Sequence, residues 1–366
     1  MNKFWNKYKI NIIIYLAVAA ILSATLFVGN ILTRALSLRP TMPNNDITSV
    51  HIVDVGQASC TLVHFATGED LIIDSGSASS NKKLISYINN VFFLHGDKTF
   101  EYAILTHSDS DHCGNFSYIL NNYKVSVFYR PNIISTLAGE SAEIGEAYID
   151  SENYVYADVI KALNAHNNVQ VVKNKADLQI KNNDITLLTM YSPEYDVYDN
   201  VNDYSPVMVL GDNNLKVCIT GDASKNIENF VVNSYDLPDI DVLVLGHHGS
   251  NTSSSYEFLE ALQPERVAIS VGKNSYGHPS TETFDTLNLY DTNYIKHTLT
   301  SKNMTISDGN IIFYSTNDGY EVITIKNIDN YLHADYWVLV VISYGVLLIF
   351  FVRPIKRSSR RYSKNS

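Results

Sequence analysis

The sequence predicts an α/β protein, a four-layer αββα sandwich flanked by N- and C-terminal transmembrane helices. Three observations carry that expectation. The central region opens on three short strand patterns and continues with strands alternating with helices, an order that suits two packed sheets covered by helices. Successive strand ends finish in histidine, aspartate, asparagine and serine, and active-site residues gather on the loops along one edge of such sheets. Two apolar runs lie at the ends of the chain, outside this pattern.

Residues 10–32 form an almost uncharged run, broken only by Asn11, Tyr15 and small residues, and long enough to cross a bilayer as a helix. Lys3, Lys7 and Lys9 precede it, and Arg34 and Arg39 follow. Residues 336–352 form a shorter run without charge, followed by Arg353, Lys356, Arg357, Arg360, Arg361 and Lys364. So dense a basic tail (353–366) favours a cytoplasmic C-terminus. Two spans then make the N-terminal residues 1–9 cytoplasmic as well. The domain at 47–333, joined through a linker at 33–46, lies outside the cell. High Asn, Lys, Ile and Tyr content suggests an AT-rich bacterial genome, so the expected location is a bacterial cell membrane with an extracytoplasmic domain. A cleaved signal peptide is the alternative reading of the first run. Its length, the Arg34 just beyond it and the lack of a small-x-small exit count against cleavage.

Charge narrows the partners. All 38 acidic residues lie between Asp46 and Asp335, against 16 Lys and Arg, which gives that region a formal charge of −22. Such a field repels a long polyanion unless metal ions or a basic groove overcome it, so DNA is a possible but disfavoured partner. Cys60, Cys113 and Cys218 are scattered and odd in number, which argues against a disulfide framework. Cys113 adjoins a ligand-rich turn and reads as a packing residue at the start of the next helix.

Taken in order, residues 49–55, 60–66 and 70–74 read as strands separated by turns. Residues 81–90 read as a helix, 102–105 as a buried strand, 113–120 as a helix and 125–129 as a strand. Residues 131–153, rich in Ser, Gly and Glu, are long for a plain connection and suggest an insertion or an active-site rim. A helix follows at 154–164, then strands at 169–172, 185–190, 205–210 and 216–220. Residues 227–232 read as helix, 241–245 as strand, 256–262 as helix, 266–271 as strand and 281–288 as helix. Residues 311–315 and 321–325 close the domain as a hairpin.

After the strand at 102–105, four potential metal ligands fall within six residues: His107, Asp109, Asp111 and His112. Carboxylates this close repel one another unless a cation neutralises them. Mixed His and Asp ligands suit zinc or manganese better than calcium, which prefers oxygen alone. The bland alternative is an exposed Ser/Asp turn with two incidental histidines. Other strand ends carry Asp74, Asn202 with Ser205, Asp222, then Gly246-His247-His248-Gly249-Ser250, and Asn274-Ser275-Tyr276-Gly277-His278-Pro279. Any one of these is an ordinary loop, and their repetition is the signal for a metal-dependent hydrolase. His51, His64, His95, His166, His297 and His333 lack such a context and read as structural.

Taken together, His51-Ile-Val-Asp-Val-Gly-Gln57, Ile73-Asp-Ser-Gly76, Leu105-Thr-His-Ser-Asp-Ser-Asp-His112, Ile219-Thr-Gly-Asp222, Gly246-His-His-Gly-Ser250 and Tyr276-Gly-His-Pro279 resemble the metallo-beta-lactamase superfamily. Within it they resemble the hydrolase domain of the ComEC/Rec2 competence family. The resemblance implies an αββα fold with one or two metal ions, Zn2+ or alternatively Mn2+, at the junction of the sheets. It implies that Asp74 fixes the metal turn by hydrogen bonding, that His107 and Asp109 hold one metal, and that Asp111 and His112 hold a second. Asp109 stands where the superfamily usually has a histidine. Asp222 would bridge the ions, and His247 or His248 would complete the second group. Spacing does not separate that pair, and His247 is preferred. Asn202 occupies a region where many members place another histidine, and an amide there is a weak ligand.

Asp111 or Asp222 could steer a water proton. His278 could protonate a leaving oxygen, bind phosphate, ligate late or simply support a turn. Ser205, Ser250, Asn274 and Tyr276 are expected as rim donors. The implied activity is hydrolysis of a phosphodiester, in DNA or a nucleotide, by metal-activated water. The alternatives are a cell-envelope phosphoester or other non-nucleic-acid substrate, a lactam, or a metal-containing binding or signalling module without turnover. A protein partner is left open.

Overall fold

The computed structural model describes residues 46–93, 98–142, 148–173, 178–191, 198–293, 299 and 301–325. Both apolar runs, the terminal tails, nearly all of the 33–46 linker, and His95, His297 and His333 lie outside the described residues. Among the described residues no helix is long and apolar enough to cross a membrane.

Strands β1 (Ser49–Ile52), β2 (Thr61–His64), β3 (Asp70–Ile73), β4 (Thr99–Ile104) and β5 (Lys124–Arg130) open the domain. Short strands β6 (Ile133–Ile134) and β7 (Ile149–Asp150) follow, then β8 (Gln170–Lys173), β9 (Gln179–Asn182), β10 (Ile185–Tyr191), β11 (Val207–Gly211) and β12 (Lys216–Ile219). The chain continues through β13 (Val242–Val244), β14 (Arg266–Ile269), β15 (Ser301–Met304), β16 (Asn310–Thr316) and β17 (Gly319–Ile325). One sheet runs β17-β16-β1-β2-β3-β4-β5-β8 and the other β15-β14-β13-β12-β11-β10-β9. Each sheet is half antiparallel and half parallel. The parallel halves, β3-β4-β5-β8 and β12-β13-β14-β15, send their C-terminal ends toward the ligand-bearing loops.

Side-chain alternation explains the layers, because successive residues of a strand face opposite sides. Leu71 and Ile73 of β3 join Val217, Ile219, Val242 and Val244 in the core between the sheets. Ile72 faces outward onto Leu84, Ile88, Phe116, Ile119 and Tyr156, supplied by helices. On the far side Cys218 and Leu243 pack with Ile227, Val231, Phe258, Leu259 and Tyr290. Helices Asn81–Tyr87, Phe116–Asn122 and Tyr154–Ala165 therefore cover one sheet, and Lys225–Ser234, Tyr256–Leu262 and Thr281–Asn293 the other. The four-layer expectation is met.

Several expectations need correction. The single helix expected at 113–120 is two, Ser110–Cys113 and Phe116–Asn122, broken at Gly114 and Asn115. A Cβ on Gly114 would lie 2.4 Å from the Ala78 amide nitrogen and 2.5 Å from the Gly76 carbonyl oxygen. Asn115 turns its side chain onto the carbonyl oxygens of Ser75 and Ser77. Cys113 thus ends the first short helix rather than starting the next, and it is buried and free like Cys60 and Cys218. Strands β9 and β15 were missed because their residues are mostly polar and lie at sheet edges, where apolar alternation is not required. The insertion at 131–153 holds the β6-β7 pair, braced by Arg130 on Glu140 at 2.6 Å.

Candidate metal centre

Asp74 and Thr106 follow adjacent parallel strands, β3 and β4, which sets them side by side. Asp74 takes φ 55°, a left-handed conformation that aspartate tolerates better than most residues. The turn aims its buried carboxylate backwards. Oδ1 accepts the Thr106 amide at 2.9 Å, and Oδ2 accepts the Thr106 hydroxyl at 2.9 Å and Nδ1–H of His112 at 2.7 Å. Thr106 Oγ1 in turn lies 3.0 Å from Nδ1 of His107. One carboxylate therefore orients both histidines of the turn.

The same arrangement recurs across the junction. Nδ1–H of His248 donates to the Ser270 carbonyl at 2.7 Å, and Nδ1 of His247 meets Thr252 Oγ1 at 2.9 Å. With the Nδ1 positions engaged from behind, the Nε2 atoms face forward. Nε2 of His112 is 3.1 Å from Asp222 Oδ1, and those of His247 and His107 are 3.5 and 4.0 Å from Asp222 Oδ2. Nε2 of His248 is 3.4 Å from Asp111 Oδ2, and Nε2 of His107 is 3.6 Å from Asp109 Oδ2. Two sets of potential ligands result, His107 with His112 and Asp222, and Asp111 with His112 and His248, each within 4.8 Å.

Whether these residues suit a cation can be judged from their hydrogen bonds. Nε2 of His107, His112 and His248 are all buried without a hydrogen-bond partner. The 3.1 Å approach of His112 to Asp222 is an ion-pair distance without hydrogen-bond alignment. Three orphaned imidazole nitrogens would each cost about 1–3 kcal/mol if nothing met them. A divalent cation satisfies them together, and an imidazole held from behind by carboxylate or carbonyl is the usual form of a metal ligand.

Electrostatics agrees. Burial opposes ionisation of Asp222, but the His112 and His248 imidazoles outweigh it and hold the carboxyl well below the usual range. Burial likewise opposes a charge on His112, and Asp222 and Asp74 overcome it and raise its pKa. Asp111 keeps its charge down to about 2: burial pushes the other way, and His248 and His112 prevail. The histidines and carboxylates of the centre thus stabilise one another's charged forms.

The neighbouring histidines part company. His247 and His248 both adopt left-handed conformations, φ 51° and 55°, and their rings sit 6.3 Å apart at 67°. His248 is buried and joins Asp111 and His112, whereas His247 stands on the Asp222 side. Spacing left the pair undivided with a preference for His247; in the structure it is His248 whose Nε2 groups with Asp111 and His112, its ring held by the Ser270 carbonyl.

The expected rim also changes. Ser205 lies behind the centre, with its hydroxyl 3.2 Å from His107 Nδ1 and accepting the Asp222 amide at 3.2 Å. Ser250 is buried and accepts the Thr252 hydroxyl. Asn274 organises its own loop, accepting the Tyr276, Gly277 and His278 amides and donating to the Gly272 and His278 carbonyls. Asn202 sits in the short 3-10 turn Val201–Tyr204, its Oδ1 buried and without a partner. Of the four expected donors Ser205 and Ser250 are buried, Asn274 is half-buried in its loop, and Tyr276 is 76% exposed with its ring 5.8 Å from that of His278. His278 is 5.4 Å from the His247 ring, and burial together with His247 and His248 lowers its pKa. Asp109, half exposed, lines the open side.

Thr106, Thr252 and Ser270 were not foreseen. Thr106 precedes His107 in the turn and could have been suspected, but Ser270 acts through a carbonyl, which leaves no trace in residue type. Outside the centre, His51 is buried against Ser49 and Tyr87, and His64 pairs with Asp70 at 2.7 Å. A cavity of about 580 Å³, lined by residues including Phe65, Ile185, Val209 and Lys216, opens at the opposite strand ends.

Residues 53–273 match the Metallo-beta-lactamase superfamily. The chain belongs to that superfamily. Over 244 residues, 63% of this chain, it is 30% identical to ComE operon protein 3 of Bacillus subtilis, of which 29% is covered. It is 27% identical over 247 residues to Recombination protein 2 of Haemophilus influenzae, covering 66% of this chain and 26% of the relative. Competence protein ComA of Neisseria gonorrhoeae is 28% identical over 249 residues, covering 67% and 30%. The chain spans less than a third of the length of these relatives. Its superfamily domain is similar to part of these competence proteins, and it carries a His/Asp cluster able to hold metal ions.

Proposed function

We propose that this protein is a membrane-anchored, metal-dependent hydrolase that cleaves a phosphodiester. The observation that carries the reading is the convergence of three buried, unpartnered imidazole nitrogens on Asp222 and Asp111. His107, Asp109, Asp222 and His247 would hold one ion, and Asp111, His112 and His248 a second, Zn2+ before Mn2+ because nitrogen ligands are abundant. When bound, the ion supplies Lewis acidity and a water acidified for attack. Asp74 and Ser270 keep the imidazoles facing the substrate, while Asp222 offers two oxygens between the ligand groups. His278, beside the His247 ring, would donate a proton to the departing oxygen from its imidazolium form, which its lowered pKa shifts to lower pH. The charge of −22 favours a nucleotide or an envelope phosphodiester over a long free polyanion.

Metal analysis of the full chain, with assays on bis(p-nitrophenyl) phosphate, single-stranded DNA and nitrocefin, tests the reading. Metal-dependent phosphodiester turnover lost in Asp222→Ala supports it. Bound metal with turnover of nitrocefin alone, or of nothing, replaces it with a lactamase or a binding role. The apolar runs at 10–32 and 336–352 would anchor the domain outside the cell, and its removal by protease added to intact cells tests that placement.

A further inference from the structure

The loop after β1 carries a motif for which the proposed chemistry has no use, Val53-Asp54-Val55-Gly56-Gln57. It leaves the first sheet and reaches the second at Ser270 and Gly272, beside His248. Its base is closed by the Val53 amide on the Cys60 carbonyl at 3.0 Å. Toward the first sheet, the Ser59 amide donates to the Asp111 carbonyl at 3.1 Å, and the Ser59 carbonyl accepts the Gly76 amide at 2.8 Å. Toward the second sheet, the Ala58 carbonyl accepts the Ser270 hydroxyl at 2.8 Å, and Gln57 Oε1 accepts the Gly272 amide at 3.1 Å. Ser270 faces two ways: its hydroxyl grips this loop while its carbonyl holds Nδ1 of His248. The approach at Gly272 is so close that a Cβ there would lie 2.3 Å from the Gln57 amide nitrogen.

We propose that Gln57, Ala58 and Ser59 form a tie that sets the spacing of Asp111 and His248, and that Gln57 is a positioning residue for the ion those two share. The inference rests on the metal reading above. Asp111 comes from the first sheet and His248 from the second, so their separation depends on how the sheets are joined. Coordination tolerates errors of only about half an ångström. Toward Asp111 the tie acts through main-chain groups, and toward His248 it acts through Ser270 and Gly272.

The test is cobalt(II) titration of the full-length chain, followed by visible absorption. The uptake step lost in His248→Ala is assigned to the group containing Asp111 and His248. Gln57→Leu removes the acceptor for the Gly272 amide, and Ser270→Ala removes the hydroxyl while leaving the carbonyl on His248. Each should weaken the assigned step about 10-fold or more, without weakening other uptake. Gln57→Glu, which keeps an acceptor oxygen, should restore it. Unchanged affinity in both variants overturns the tie. So does equal weakening of every step with a lower melting temperature of the metal-free protein, which marks general loosening. A wild-type chain that takes up no cobalt overturns the metal reading, and the tie with it. Wild-type uptake with unaltered variants overturns the tie alone.

Discussion

Replacing Asp74 by asparagine isolates the effect of one buried charge on the metal centre. Asparagine accepts the positive φ of this position, so the backbone is kept. The amide oxygen can still accept the Thr106 amide, but the amide NH2 then faces Nδ1–H of His112 across a 2.7 Å contact. His112 must either lose that bond or move its proton to Nε2, onto the lone pair meant for a cation. A hydrogen bond to a charged group contributes about 1.5–3 kcal/mol, which corresponds to roughly 10- to 100-fold in metal affinity. His107 shares the loss through Thr106, whose hydroxyl links it to Asp74. Affinity measured by competition with a chromophoric chelator should fall by that factor, while urea denaturation confirms that the chain still folds. An Asp74→Asn chain that binds metal as tightly as wild type refutes the idea that Asp74 sets the imidazole tautomers.

Burial, reinforced by His64, holds the His51 imidazole at about 3. The unfolded chain takes up that proton near 6.5, so stability rises with pH between about 3 and 6.5 and falls on acidification, by up to about 1.4 kcal/mol per unit. Urea midpoints across this window should flatten in His51→Gln, and parallel slopes would exclude His51 as the source. Gly114→Ala forces a Cβ onto the backbone of Gly76 and Ala78 and should cost about 1–3 kcal/mol in chemical denaturation; an unaltered midpoint contradicts the close approach. His278→Ala should leave metal content intact and slow hydrolysis of a nucleoside or alkyl leaving group about 100-fold. Nitrophenolate, which departs without a proton, should be affected far less. Equal losses on both substrates would assign His278 to phosphate binding instead.

Much of the centre was legible because its ligands cluster in short motifs. His107, Asp109, Asp111 and His112 sit on one turn, and Asp222 and the 247–248 pair end later strands. Sequence spacing could not divide His247 from His248, since adjacent residues differ only in backbone dihedrals and in what holds each ring. It also put Ser205 and Ser250 on the rim, whereas both are buried, because a polar residue near a strand end serves equally well behind a site as in front of it. Edge strands β9 and β15 were hidden by their polar composition, while the inter-sheet strands declared themselves through alternating apolar residues.

The order of residues along the chain by itself determined the layered α/β character, the acidic charge and the inventory of groups able to hold a cation. Those properties are local: periodicity, composition and short motifs need no knowledge of distant partners. Only the tertiary structure decided that His248 faces Asp111, that Asp74 points away from the centre, and that Gln57 reaches Gly272 on the opposite sheet. Those relations depend on how two sheets are packed and joined, and much of that joining is done by main-chain carbonyls and amides that every residue type carries alike.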